Sequence, residues 1–220
     1  MQTKVQTKKR TKKRVQRYHH GDLPSAVLRT TVALIEQRGG VEFTMREVAD
    51  AAGVTHPAVY RHFTDKRALL VRIALEGYGL LASDMKADVD LQAGRSSIAK
   101  SVAAVYVAFA VEHPAHFRVM FGPRLNRDEQ YPELEAAVTG SYAGLFAAMG
   151  GSGTGMSADN RKAHDRSFAL WSLVHGYAML VLDDRIAGLR PDRRKAEARA
   201  HVQRLVAPLA ASFEGAPPPP

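Results

Sequence analysis

Apolar positions along this chain recur at steps of three and four residues almost throughout, the spacing of a helix with one buried face. Leu23, Val27, Thr30 and Leu34 fall at i, i+4, i+7 and i+11, with Ile35 widening the stripe. Pro24 suits a first turn, where its missing N–H would be unpaired anyway, and Gly39-Gly40 ends this helix. Thr44 followed by Glu47 reads as a capping box opening a second helix, in which Met45, Val48, Ala49 and Ala52 form the buried face. Gly53 supplies the left-handed stop. A short third helix follows, with Thr55 as its cap, Pro57 in its first turn and Phe63 near its end. Asp65 caps a fourth helix carrying Leu69, Leu70, Ile73, Leu80 and Leu81. Gly77 and Gly79 weaken that helix by about 1 kcal/mol each relative to Ala and allow a bend. Further helices are predicted over Arg95–His113, Ala115–Phe121, Pro132–Met149 and Ser157–Ala187, with Pro191 opening the last. The glycine-rich stretch 150–155 reads as a loop. No alternating strand pattern and no fixed-period repeat occurs, so the fold class predicted is all-α.

The segment Thr44–Lys66 holds a helix, a glycine turn and a second helix, the helix-turn-helix pattern whose second member enters a DNA major groove. Val48, Ala49, Ala52, Val54, Val59 and Phe63 give the small apolar contacts that two crossed helices need. Thr55, His56, Pro57, Ala58, Tyr60, Arg61 and His62 are the outward positions. The N-terminus of the second helix offers free N–H groups and a positive dipole end to phosphate. Plain helical bundles contain the same geometry, so the pattern alone leaves both readings open.

Residues 44–70 closely resemble the DNA-binding signature of the tetracycline-repressor (TetR) family, T-x-x-x-(I/V)-A-x-x-A-G-V-(S/T)-x-x-x-(L/V)-Y-x-(H/Y)-F-x-x-K-x-x-L. Thr44, Val48, Ala49, Ala52, Gly53, Val54, Thr55, Val59, Tyr60, His62, Phe63, Lys66 and Leu69 match it. The departure is Pro57, where many members have glycine, which shifts weight from base contacts at His56–Ala58 to phosphate contacts. Trp171, His175 and Gly176 resemble a W-x-x-x-H-G element of one C-terminal class of these regulators. The resemblance implies a homodimer joined by the last two long helices of each subunit and a ligand cavity in the helical body.

On that reading Thr44, Arg46, Thr55, His56, Pro57, Ala58, Tyr60, Arg61, His62 and Lys66 are the DNA-binding candidates. Tyr60, His62 and Lys66 are assigned to phosphates, and His56 and Arg61 to base edges, with the backbone as the alternative for Arg61. Thr55 serves first as a cap, and Arg46 is a lesser groove candidate. Tyr106, Phe109, Phe117, Met120, Phe121, Tyr142, Phe146 and Trp171 are candidate cavity walls, implying an apolar or amphipathic effector. Trp171, Val174, His175, Ala178, Val181 and Leu182, with Val202, Leu205 and Leu209, form the stripes predicted to pair subunits.

Charge sharpens the picture. The net charge is +9, and eight of those charges lie in residues 1–20, which contain no acidic residue. That stretch is no signal peptide, since no apolar run follows it. The chain therefore divides into a disordered basic arm (1–17), a DNA-binding unit (18–68), an effector-binding and dimerisation body (69–214) and a proline-rich tail (215–220). The arm reads either as a solvated tail or as an auxiliary contact to phosphates or the adjacent minor groove. Without cysteine, zinc–thiolate sites and thiol catalysis are excluded. His113 and His116 are separated by the helix-breaking Pro114 and lack an adjacent carboxylate, so no metal is assigned. The 150–155 loop lacks the lysine of a phosphate loop. No cofactor and no enzymatic activity is expected. The function predicted is a cytoplasmic, nucleoid-associated, ligand-released repressor that binds a pseudo-palindromic operator in double-stranded DNA, without contact to membranes. The competing reading is a protein that binds polyanions without sequence choice through its arm.

Overall fold

The computed structural model describes residues 23–155 and 157–213; the predicted basic arm and proline-rich tail lie outside them. The described residues form α-helices and no strand: α1 (Leu23–Arg38), α2 (Met45–Ala52), α3 (His56–Tyr60), α4 (Lys66–Asp88), α5 (Arg95–Glu112), α6 (Pro114–Phe121), α7 (Pro132–Ala148), α8 (Ala158–Leu182) and α9 (Arg194–Ala211). A 3-10 turn, Pro191–Arg193, leads into α9. The all-α expectation holds.

Local chemistry sets most boundaries. The Thr44 hydroxyl accepts from the Glu47 N–H while the Glu47 carboxylate accepts from the Thr44 N–H, a complete capping box. Gly53 turns the chain at φ 68°, the left-handed region that a side chain resists. Asp65 accepts from the Ala68 N–H to start α4. No cap bond forms at Thr55, contrary to expectation. A capping side chain takes the second or third N–H of the helix; Pro57 in the second place has none to give, and the Ala58 N–H in the third donates to the Thr55 carbonyl at 2.9 Å instead. α3 ends at Tyr60 rather than near Phe63, so the dipole argument rests on little more than a single turn.

α8 stops at Leu182, five residues before the predicted Ala187. There Asp184 takes φ 54° and reverses the chain. Two guanidinium groups hold the last carbonyls: Arg118 donates to Leu182 O and Asp183, and Arg194 donates to Val181 O and Asp184. These partners come from α6 and α9, distant in sequence, so periodicity could not foresee the stop.

Two apolar cores form. One gathers α1, α2, α3 and the first half of α4 around Val27, Ile35, Val48, Val59 and Leu69. The other gathers the end of α4 with α5, α8 and α9 around Phe109, Phe117, Leu170, Val181 and Val202. α4 runs unbroken through both, so the boundary drawn at 68/69 falls inside a helix. α6 also joins them, placing Ala115 and Val119 in the first core and Phe117 in the second. Gly77 lets α4 and α6 approach closely: a β-carbon there would sit 2.5 Å from Met120 Sδ and 3.1 Å from His116 Cβ. No helix among the described residues is long and apolar enough to cross a membrane.

Candidate nucleic-acid interface and cavity

α3 stands on a dry base. Val59 is fully buried and Phe63 nearly so, whereas Thr55, His56, Pro57, Tyr60, Arg61 and His62 are exposed on one continuous face. His56 and Tyr60, one helical turn apart, meet edge to face at 4.7 Å between ring centres. Tyr60 therefore keeps 42% of its surface open with its ring held by a neighbour. Ala58 is not part of this face. Only 7% of it is exposed, because it lies on the side of α3 that packs inward, and it is removed from the candidate contacts.

The flanking candidates have structural duties. Thr44 spends its hydroxyl on the capping box with Glu47, and Glu47 also receives Arg38 Nη2 at 2.6 Å. That guanidinium and the Thr44 donors pull the Glu47 carboxyl down to about 2. Arg46 projects into solvent with Asp50 at 4.0 Å. Lys66 is half-buried, its ammonium 4.4 Å above the Phe43 ring, which leaves the charge near the start of α4. Beside it, Arg67 grips Asp128 with two nitrogens, donates to Leu125 O and lies over Tyr131. Arg67 thus ties the start of α4 to the α6–α7 loop, a link that sequence spacing gave no hint of. The same contact holds the Asp128 carboxyl near 2.

The body contains a cavity of about 760 Å³ between α4, α5, α7 and α8. Tyr106, Phe121, Tyr142 and Trp171, all predicted, line it, together with Leu75, Tyr78, Leu81, Val102, Leu145 and Leu170, which were not. The other four predicted wall residues lie elsewhere. Phe109 and Phe117 are fully buried core, Met120 fills the α4–α6 contact at Gly77, and Phe146 stacks on His164 at 4.3 Å over Gly151. Aromatic identity cannot separate wall from core, because both need bulk. On the wall, the Tyr106 hydroxyl bonds His175 Nδ1 at 2.9 Å and accepts from Trp171 Nε1 at 3.3 Å. Burial pushes the Tyr106 phenol upward and the His175 imidazole downward. Burial also takes the Tyr78 phenol up to about 12. The walls are thus uncharged at neutral pH apart from Lys86, which is exposed.

The predicted pairing stripe faces the wrong way. Val174, Ala178, Val181 and Val202 are buried in the subunit's own core, Trp171 and Val174 line the cavity, and His175 sits in the Phe117–Phe121 aromatic cluster. Leu182 and Leu209 are partly buried against that core. Leu205 alone of the set is exposed, at 43%. The stripe left open on α8 is Phe168, Ser172, Gly176 and Leu180, in steps of four residues. Picking the most apolar face selects the core side of a helix, and a subunit's outer face is the less apolar one.

His113 and His116 do approach, with ring centres 5.8 Å apart, but no group of metal-ligating side chains assembles among the described residues. His116 is buried with both ring nitrogens unbonded, 3.9 Å from Glu76, and desolvation lowers its pKa.

Comparison with known proteins assigns the architecture. Residues 27–73 match the family model for bacterial regulatory proteins of the tetR family, and residues 99–207 match that for the tetracyclin repressor-like C-terminal domain. The chain belongs to the TetR family of transcription regulators. The second match spans the W-x-x-x-H-G residues Trp171, His175 and Gly176. Over 51 residues it is 41% identical to the tetracycline repressor protein class A from transposon 1721 of Escherichia coli, covering 23% of this chain and 24% of that protein. The matched region is thus about a quarter of that curated relative's length. Among solved structures, a tetR-family regulatory protein from Rhodococcus RHA1 shares the fold over 88% of this chain and 97% of its own, with TM-score 0.64 and 18% identity. FadR from Bacillus subtilis, solved in complex with stearoyl-CoA, shares it over 83% and 97%, with TM-score 0.60 and 14% identity. TetR regulators are non-enzymatic.

Proposed function

We propose that this TetR-family protein is a repressor that binds a pseudo-palindromic operator as a homodimer and is released by a small-molecule effector. Its DNA-reading unit is residues 18–68 and its effector and pairing body is residues 69–214. The observation that carries the reading is the exposed face Thr55, His56, Pro57, Tyr60, Arg61 and His62, held rigid on buried Val59 and Phe63 within the family signature. Two such faces set about 34–36 Å apart by a twofold axis would enter successive major grooves. The outward stripe Phe168, Ser172, Gly176 and Leu180 of α8, with Leu205 of α9, supports pairing there, since Ser172 and Gly176 let two helices approach closely. The cavity supports an apolar or amphipathic effector. α4 and α6 support the coupling, because each joins the cavity region to the reading unit. An effector acts only if it binds the released arrangement better than the DNA-bound one.

Selection of genomic fragments by the purified protein, in competition with bulk duplex, tests the reading. A sequence reader retains one intergenic fragment against a large excess of bulk DNA. Loss of every fragment to the competitor would instead indicate a binder of polyanions through the basic arm.

A further inference from the structure

We propose that the cavity takes a single-headed anionic amphiphile, a long-chain carboxylate lying along the α4–α7 seam with its head on Lys86. The proposal rests on the effector reading above and gives that effector a chemistry.

Shape comes first. The lining runs along α4 from Leu75 to Lys86, with Val89 just past the helix end, and along α7 from Ala136 to Ala148. At 1.5 Å per residue these helical stretches are about 17 Å and about 18 Å long. Spread over that length, about 760 Å³ leaves a mean cross-section of about 40 Å², a slot far longer than it is wide. α7 is built to cover such a slot and not to fill it. Its sequence is largely apolar, yet Leu134 is its one buried residue. The seam it presents to α4 carries Ala137, Gly140, Ser141, Gly144 and Ala148. An apolar body laid along the seam would bury surface that both helices now leave open.

Charge then sets the polarity. Lys86 is the one formally charged side chain on the lining, and among the described residues no carboxylate pairs with it. No acidic side chain lines the walls, so a cationic ligand would enter without a counter-charge. A carboxylate at Lys86 gains a charge-assisted hydrogen bond while the rest of the molecule leaves water. The ligand's direction follows. Leu134 and Ala137 pack with the core of the reading unit, whereas Ala148 packs with the core of the body, so α7 runs alongside α4 in the same sense. With its head at Lys86, the tail points toward Leu75, Tyr78 and Phe121. Phe121 ends α6 and packs on Tyr106, Phe117 and His175. The tail therefore ends against the helix that joins the two cores.

Trp171 is the single tryptophan of the chain and sits on the wall, so its emission reports occupancy. Palmitate, 1-hexadecanol and hexadecylamine, each below its solubility limit, are titrated into the full-length protein and into Lys86→Ala and Lys86→Glu. In the wild type the expected order of affinity is palmitate, then the alcohol, then the amine. Lys86→Ala should weaken palmitate by about three- to tenfold. Lys86→Glu should weaken it further and favour the amine, with the alcohol unchanged in both variants. Equal binding of palmitate and alcohol, unmoved by Lys86→Glu, overturns the head-group assignment and leaves an apolar cavity. Trp171 emission insensitive to all three overturns the amphiphile altogether. Fragment selection by the same preparation reads the regulator proposal separately: a retained intergenic fragment keeps that reading when the amphiphile falls, and loss of every fragment overturns both.

Discussion

Leu180 and Val181 are neighbours in sequence and about 100° apart around α8, and opposite fates are expected for them. Val181 is fully buried in the subunit core, whereas Leu180 keeps 46% of its surface open. Val181→Ala removes two methyl carbons from a packed interior. At about 0.8 kcal/mol for each buried carbon that is about 1.6 kcal/mol before any cavity term. Leu180→Ala removes little from the isolated subunit, within about 0.5 kcal/mol. Pairing is another matter. Fully burying a leucine is worth about 1.5–3 kcal/mol, so covering the open 46% yields about 0.7–1.4 kcal/mol per subunit. A twofold interface contains the residue twice, so the proposed dimer should lose about 1.4–2.8 kcal/mol, a ten- to hundredfold rise in its dissociation constant. Sedimentation velocity across a dilution series measures the pairing, and urea unfolding at a concentration where each variant is monomeric measures the fold. An unchanged dimer constant in Leu180→Ala would refute the assignment of the outward stripe. Equal unfolding costs for the two variants would refute the division of α8 into an inner and an outer face.

Tyr60→Phe combined with Lys66→Ala should weaken binding to all duplexes alike in fluorescence anisotropy, and altered sequence preference at full affinity would contradict the phosphate assignment. Removing residues 1–17 should lower affinity and flatten its dependence on salt, whereas equal slopes for the two proteins would make the arm a bystander. The Glu47 carboxyl sits at about 2 when folded against an ordinary 4.5, and Asp128 at about 2 against 3.8. The unfolded chain binds the extra protons, so the stability these groups confer is whole above about pH 5 and drains away as pH falls toward 2. Glu47→Gln should remove part of that acid dependence from urea midpoints measured between pH 5 and 2.5, and an unchanged pH profile would count against the Arg38–Glu47 contact. Gly77→Leu should force α4 from α6, lowering thermal stability by several degrees in calorimetry, because His116 Cβ and Met120 stand where the new side chain begins. Full stability in that variant would show that the contact yields freely.

Local signals in this sequence were complete enough to place the helices and the reading segment. The capping pair Thr44–Glu47, the left-handed Gly53 and the Asp65 cap are interactions between residues three or four apart, which a linear pattern displays in full. The Thr55 cap failed for an equally local reason: Pro57 has no N–H, as the sequence shows, and the tight turn of α3 sends the Ala58 N–H to the Thr55 carbonyl. Ala58 was misplaced because α3 is too short for periodicity to fix its inward side.

The amino-acid sequence by itself determined the all-α class, the helix-turn-helix segment and its exposed chemistry, since each depends on near neighbours and on one apolar period. Only the tertiary structure decided which aromatic residues wall the cavity, which face of α8 stays open and where α8 stops. Those outcomes depend on which helix lies against which. Phe109 and Phe121 look alike in the chain, yet the first is fully buried in the core and the second lines the cavity, meeting rings from α4, α5 and α8. Val181 and Leu180 are equally apolar, and the packing of α5 and α9 against one side of α8 makes the first a core residue and leaves the second in water.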